Sequence, residues 1–210
     1  MDLKKSLQNY LDELSSNAPT PGGGNVAALC GVLASSLGQM VCNLTIGKKK
    51  YLDFEEEAKD LAGKLNELQD HFLTLAKKDN DAFDSVIAAF KLPKETDSQK
   101  SFRKNEIEKA TMEAAIVPSE VIIKCNQLLP YLDTISQKGN QNSLSDAGVA
   151  ISLTATASEG AYLNVAINCS GLSNQITANE FLKKSEIIYF EIKEYSESLI
   201  KRIINSMTQH

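Results

Sequence analysis

Three aspartates crowd into the segment "DNDAFD", at Asp79, Asp81 and Asp84, and only the first falls where hydrocarbon belongs. Steps of four and three from Leu61 give Leu65, Leu68, Phe72, Leu75, Asp79, Ala82, Val86 and Ala89, the spacing of one helix face, with Asp79 its one polar member. Asp81 and Asp84 lie on the polar side with Lys77 and read as solvated charges. An ionised carboxylate in an apolar seam forfeits hydration worth several kcal/mol, so it needs a partner or a raised pKa. That is how a general acid/base is tuned. The same position equally suits a buried aspartate that fixes helix register, and periodicity leaves both readings open. With His71 and His210 the only histidines, any proton transfer must fall to carboxylate, lysine or tyrosine.

Other segments carry groups able to hold a ligand. In "PTPGGGN", Gly22, Gly23 and Gly24, followed by Asn25, free backbone N–H groups at a helix start, which suits an anion or another ligand contact. No strand precedes them and neither G-K-S/T nor G-x-G-x-x-G is present, which disfavours a nucleotide loop; a tight turn into a crowded helix is the plainer reading. Ala28, Gly31, Ser35, Gly38 and Cys42 then form a stripe of small side chains. Another helix, or less simply a flat ligand edge, must approach closely along it. In "GKKKY", Lys48, Lys49 and Lys50 oppose the negative end of the same helix and, beside Tyr51, suit a carboxylate-bearing ligand with an aromatic part. "GNQNSLSDAGVA" places Asn140 and Asn142 in a turn, with Ser145 or Asp146 capping the helix that follows. Asn164 and Asn168 lie one turn apart among alanine, valine and isoleucine, where buried amides either tie helices together or receive a polar ligand.

The elements that must position these groups are helical throughout. The 210 residues carry no linker and read as one domain, 1–210, large enough for a sizeable core. A net charge of −5 argues against nucleic acid or an anionic membrane as partner. Cys30, Cys42, Cys125 and Cys169 are too scattered for a zinc site and read as reduced, mostly buried thiols; no metal is expected. No basic start followed by an apolar core marks a secretory leader, so the expected location is the cytoplasm. Periodicity and stop signals predict helices over about Asp2–Ser16, Asn25–Ile46, a long one to Lys91 opened by an Asp53/Glu56 capping box, Asp97–Ile116 behind a Thr96/Gln99 box, Ser119–Lys138 after a break at Pro118, Ser145–Asn168, and a last one capped by Thr177 with Glu180. The second is apolar nearly all round and is expected in the middle of the fold; Ser35, Ser36, Gln39, Asn43 and Thr45 argue against a membrane span. The third is too long to bury itself in one small globule. The expected fold is therefore an all-α bundle of about seven helices, several long, forming a dimer.

The segments "PTPGGGNVAAL", "NLTIGKKKY", "DNDAFDSVIAAFKLPK", "GNQNSLSDAGVA" and "GAYLNVAIN", in that order, closely resemble the cyclodeaminase/cyclohydrolase family of folate one-carbon metabolism. The resemblance implies an all-helical dimer whose catalytic acid/base is the aspartate that begins D-x-x-A-F, which falls on Asp79. It implies that Gly22 to Asn25 and Lys48 to Tyr51 lie near a folate, although many members carry serine where this chain has Asn25. The activity expected first is cyclodeamination of 5-formimino-tetrahydrofolate to the 5,10-methenyl form with release of ammonia. Hydrolysis of the methenyl form to 10-formyl-tetrahydrofolate is the alternative on the same site, and a non-catalytic helical scaffold the alternative of another class. No prosthetic group is expected, only a tetrahydrofolate derivative as substrate, with any formimino substrate supplied by a separate formiminotransferase. Lys48 to Lys50 are expected to hold the glutamate carboxylates, and Asn164 and Asn168 the pterin edge or each other.

Overall fold

The computed structural model describes residues 7–208, which form six α-helices and two 3₁₀ turns, with no strand among the described residues. Helix α1 spans Leu7–Leu14, α2 Gly23–Thr45, α3 Glu55–Phe90, α4 Asp97–Lys138, α5 Leu144–Ser170 and α6 Gln175–Thr208, with 3₁₀ turns at Lys49–Phe54 and Gln141–Ser143. The expected beginning of the first helix, at Asp2, and His210 lie outside the described residues. The all-α bundle is as expected. It has six helices rather than seven.

The count differs because α4 runs unbroken through Pro118 and Pro130. Pro118 has no N–H to offer the carbonyl four residues earlier, which ordinarily breaks or kinks a helix. That carbonyl, Ala114 O, is instead satisfied from another helix: Asn168 Nδ2 of α5 donates to it at 2.7 Å. A long-range side chain thus replaces a local backbone donor, and helical periodicity cannot anticipate it.

Helix α2 lies between α3 and α5 and also touches α4. Its small-residue stripe is where the neighbours come close: a Cβ on Gly31 would fall 2.6 Å from the Phe72 ring, and one on Gly38 2.7 Å from Leu132 and 3.1 Å from Leu65. The stripe therefore receives helices, not a ligand edge. The same helix is long and apolar enough to cross a membrane by length and composition, yet Ala28, Ala34, Val41 and Cys42 are packed inside the bundle. It is not buried all round, as had been expected. Val26, Cys30, Leu33, Leu37, Met40 and Leu44, spaced by four and three, form a second stripe along its full length that stays partly or wholly exposed.

Several helix starts differ from expectation. Asp53 does not cap α3; the 3₁₀ turn intervenes, α3 begins at Glu55 without a side-chain cap, and Glu55 accepts from the Gly47 N–H. The Thr96/Gln99 capping box forms as predicted. Neither Ser145 nor Asp146 caps α5, which starts one residue earlier with no side-chain cap. Helix α6 begins ahead of Thr177, with Asn174 Oδ1 accepting from the Thr177 N–H and Glu108 of α4 accepting from the Ser173 and Asn174 N–H groups. Cys42, Cys125 and Cys169 are buried and Cys30 half-buried, all four as free thiols.

Two glycine substitutions separate close packing from helix propensity. Gly63 sits in the middle of α3 with nothing within 4 Å of an added Cβ. Gly63→Ala is expected to stabilise the fold by about 0.5–1 kcal/mol, whereas Gly31→Ala, against a fully buried Phe72, is expected to cost about 1–3 kcal/mol. Chemical denaturation of both variants checks this. Equal effects at the two positions would contradict the packing described.

Candidate active site

A helix start leaves its first backbone N–H groups without partners, and α2 has no side chain of its own to cap them. Its N-cap is Gly22, and Gly23, Gly24 and Asn25 occupy its first turn. The capping group comes from α3. The Asp79 carboxylate reaches over this turn so closely that a Cβ on Gly24 would lie 2.1 Å from Oδ1 and 2.7 Å from Cγ, and the Asn25 backbone N–H donates to it. Burial pushes the Asp79 carboxyl pKa up, while the Asn25 N–H opposes that by favouring the ionised form; burial prevails. The remaining seam residues from Leu61 to Leu75 and Ala82 are buried, and Asp81 and Asp84 are exposed, so the seam separates the three aspartates as its period implied.

The Asn25 side chain points inward. It is fully buried, its Oδ1 accepts from the Tyr10 hydroxyl at 2.9 Å, and its Nδ2 donates to Ala76 O at 2.6 Å and to Asn80 Oδ1 at 3.3 Å. The amide joins α1, α2 and α3, which leaves its backbone as the part of Asn25 that could meet a ligand. Asn164 and Asn168 do not bond each other, contrary to one expectation. Asn168 serves Ala114, as above, and Asn164 Nδ2 donates to Gly160 O at 2.8 Å while lying 3.4 Å from where a Gly23 Cβ would be. Asn164 thus joins Gly22 to Gly24 and Asp79 at one end of α2.

The remaining predicted residues gather at the other end. Lys48, Lys49 and Lys50 are exposed, with Lys50 Nζ 5.5 Å from the Tyr51 ring centre. Tyr51 Oη accepts from the Gln141 N–H, Asn140 Nδ2 donates to Leu44 O, and the Asn140 N–H donates to Thr45 Oγ1, which fastens the Asn140–Asn142 turn to the end of α2. Asn140 Oδ1 also accepts from the Asn142 N–H. Ser145 is exposed and Asp146 half-buried at the start of α5. Ser145 borders an apolar groove of about 350 Å³ between α5 and α6, lined also by Val149, Ile204 and Met207. A larger groove of about 460 Å³ between α3 and α4, lined by Ser85, Lys109 and Glu113, contains none of the predicted residues. The 23 residues of α2 hold the two clusters about 35 Å apart within one chain.

The model of the formiminotransferase-cyclodeaminase family matches residues 6–186. This chain belongs to that family. Family members serve folate one-carbon chemistry as cyclodeaminases or cyclohydrolases, and the chain is accordingly an enzyme of that group. A methenyltetrahydrofolate cyclohydrolase of Methylorubrum extorquens is 37% identical over 95% of this chain and 96% of its own. The formimidoyltransferase-cyclodeaminase of Rattus norvegicus is 30% identical over 83% of this chain, which spans only 32% of that longer protein. A crystal structure of formiminotetrahydrofolate cyclodeaminase from Thermotoga maritima superposes with a TM-score of 0.81 at 30% identity, covering 96% of this chain and 98% of its own. The family's helical fold is the one described above.

Tyr10 and Asn80 escaped the reading of the sequence. Tyr10 lies at helical spacing with Leu7 and Leu14, and the available signal was its hydroxyl, which needs a partner once buried.

Two substitutions test this geometry. Gly24→Ala drives a methyl into the Asp79 carboxylate and is expected to lower turnover by about tenfold or more through misplacement of the acid; a variant of full activity would contradict the contact. Because Asp79 has a raised pKa, the folded state keeps a proton that the unfolded chain has released. Its favourable contribution is present below the ordinary carboxyl value of 3.8 and is lost as pH rises through the raised value. Asp79→Asn escapes that loss, so its melting temperature is expected to gain on that of the native protein as pH goes from acid to neutral. Parallel melting curves across that range would refute the burial argument.

Proposed function

We propose that this chain is a methenyltetrahydrofolate cyclohydrolase in which Asp79 is the general acid/base. The observation that carries the reading is the identity of 37% with a protein of that name over nearly the whole of both chains. It reverses the order of the two folate reactions expected from the sequence. In the reaction, water adds to the cationic methenyl carbon as Asp79 takes one of its protons, giving a neutral tetrahedral intermediate. Asp79 returns that proton to N5 as the bond from carbon to N5 breaks, and the hydroxyl proton leaves as the formyl group on N10 forms. The sum is methenyl cation plus water going to 10-formyl-tetrahydrofolate plus one proton. A carboxyl group with a raised pKa, half-buried and held by one N–H donor, suits both transfers.

Cyclodeamination is the second reading, favoured by the likeness to the Thermotoga protein. There N10 would attack the formimino carbon, Asp79 would take the N10 proton, and the amine would leave after protonation, the substrate coming from a formiminotransferase. Purified protein, offered each substrate in turn while the near-ultraviolet methenyl absorbance is followed, distinguishes them. Accelerated loss from methenyl-tetrahydrofolate supports hydrolysis; gain from the formimino compound supports deamination. Asp79→Asn is expected to lose about a hundredfold or more of whichever activity is present, and a fully active variant would remove Asp79 from the mechanism.

The substrate site is proposed to be shared between two copies. A folate whose glutamate rests on Lys48 to Lys50 and whose reacting bridge rests on Asp79 would have to span the length of α2 within one chain. The exposed stripe from Val26 to Leu44 offers a self-complementary face, and two α2 helices packed antiparallel on it would set the lysine end of one copy beside the glycine end of the other. Mixing and exchanging subunits of Asp79→Asn with a Lys48→Ala, Lys49→Ala, Lys50→Ala variant checks this. Each parent is expected to be nearly inactive, and mixed dimers, with one intact site each, to recover up to about a quarter of native activity. Dimers that exchange without recovery would place each site within one subunit.

A further inference from the structure

Among the described residues of helix α1, Leu7–Leu14, one side chain is buried: Tyr10, 4% exposed. Tyr10 is thus the side chain by which this segment enters the core, and what it grips there bears on the rest of the bundle. The phenol donates to Asn25 Oδ1, and the Asn25 amide spans the α3 turn from Ala76 to Asn80, whose penultimate residue is Asp79. The orientation of that amide is determined by chemistry: Ala76 O can only accept, so the NH₂ faces α3 and the Oδ1 faces Tyr10, its one donor among the described residues. The backbone N–H of the same Asn25 is the donor to Asp79. One residue therefore takes a hydrogen bond from α1, gives two to the turn that carries the acid, and gives a third to the acid itself.

We propose that Tyr10 is a positioning residue for the acid/base: through Asn25 it locks the α3 turn from Ala76 to Asn80 against the start of α2 and so aims the Asp79 carboxylate. This rests on the role proposed for Asp79, and it names a residue from an element that touches the acid only through that link. With the phenol removed, Asn25 Oδ1 becomes a buried acceptor without a donor, and the amide is free to turn away from Ala76. The N–H donated to Asp79 shifts with it. Losing a donor that favours the ionised form moves the carboxyl titration to higher pH. The other titratable groups nearby do not compete for that change. Tyr10 itself and Cys30 on α2 stay neutral because burial raises both, Cys125 on α4 is raised by full burial, and the Lys78–Glu120 pair, 3.8 Å apart, bridges α3 and α4 at the exposed surface.

The test uses Tyr10→Phe, which keeps the ring, with Leu11→Ala on the exposed side of α1 as a control for general loosening. Two readouts are taken: kcat and KM for the active folate substrate, and the titration of Asp79 followed by carboxyl carbon resonance in labelled protein without substrate. Tyr10→Phe is expected to lower kcat by about tenfold with KM nearly unchanged, and to move the Asp79 midpoint up; Leu11→Ala is expected to do neither. If Tyr10→Phe does not fold, Asn25→Ala, which keeps the backbone N–H but removes the amide, is expected to give the same two changes. A midpoint and kcat at native values, in a variant that has merely lost stability, would overturn the proposal. The resonance readout needs no turnover, so an error in the reaction assigned to Asp79 stays distinguishable from an error in the link to Tyr10.

Discussion

A helix that begins on three glycines cannot cap itself, and a carboxylate in an apolar seam cannot hydrate itself; in this protein each is answered by the other. The contact between Asp79 and the first turn of α2 supplies an acceptor to the Asn25 N–H and a donor to the half-buried carboxyl. It exists only because Gly24 has no side chain to hold the two apart. The exchange is unequal, since burial outweighs the single donor and leaves the acid easier to protonate than one in water. The rest of the bundle keeps α2 and α3 in register so that this encounter happens at one place.

Most of that arrangement could be read from periodicity. The seam from Leu61 to Ala89 distinguished Asp79 from Asp81 and Asp84 because one helix face is a property of spacing alone. The stripe from Ala28 to Cys42 announced a close neighbour because interior glycine is otherwise unfavourable. What escaped were the groups whose partners lie far along the chain. Pro118 looked like a break, since the donor that rescues Ala114 O comes from Asn168, 54 residues later. Asn25 looked like a ligand residue because it follows the glycines, and only the Tyr10 hydroxyl and Ala76 carbonyl reveal that it points inward.

The division of the candidate residues into two clusters has a different origin. Each motif was legible by itself, and the length of α2 separates them as soon as it is treated as a rigid rod. The helix has two apolar stripes with different work. The small side chains face inward and set distances; the larger ones, from Val26 to Leu44, lie on the outer side, where Leu33, Met40 and Leu44 are exposed. Polar residues cross that outer region too, with Gln69 donating to Ser36 and Gln39 donating to Gln69, so it is not uniformly greasy.

The inner stripe acts as a vernier on the chemistry. Gly31 against Phe72 and Gly38 against Leu65 fix how far α2 stands from α3, and the separation of Asp79 from the α2 backbone is the last graduation on that same scale. A methylene gained or lost deep in the middle of the rods would be read out turns away as a change in acidity. A substitution in the interior can thus alter the protonation of a carboxyl group that it never touches.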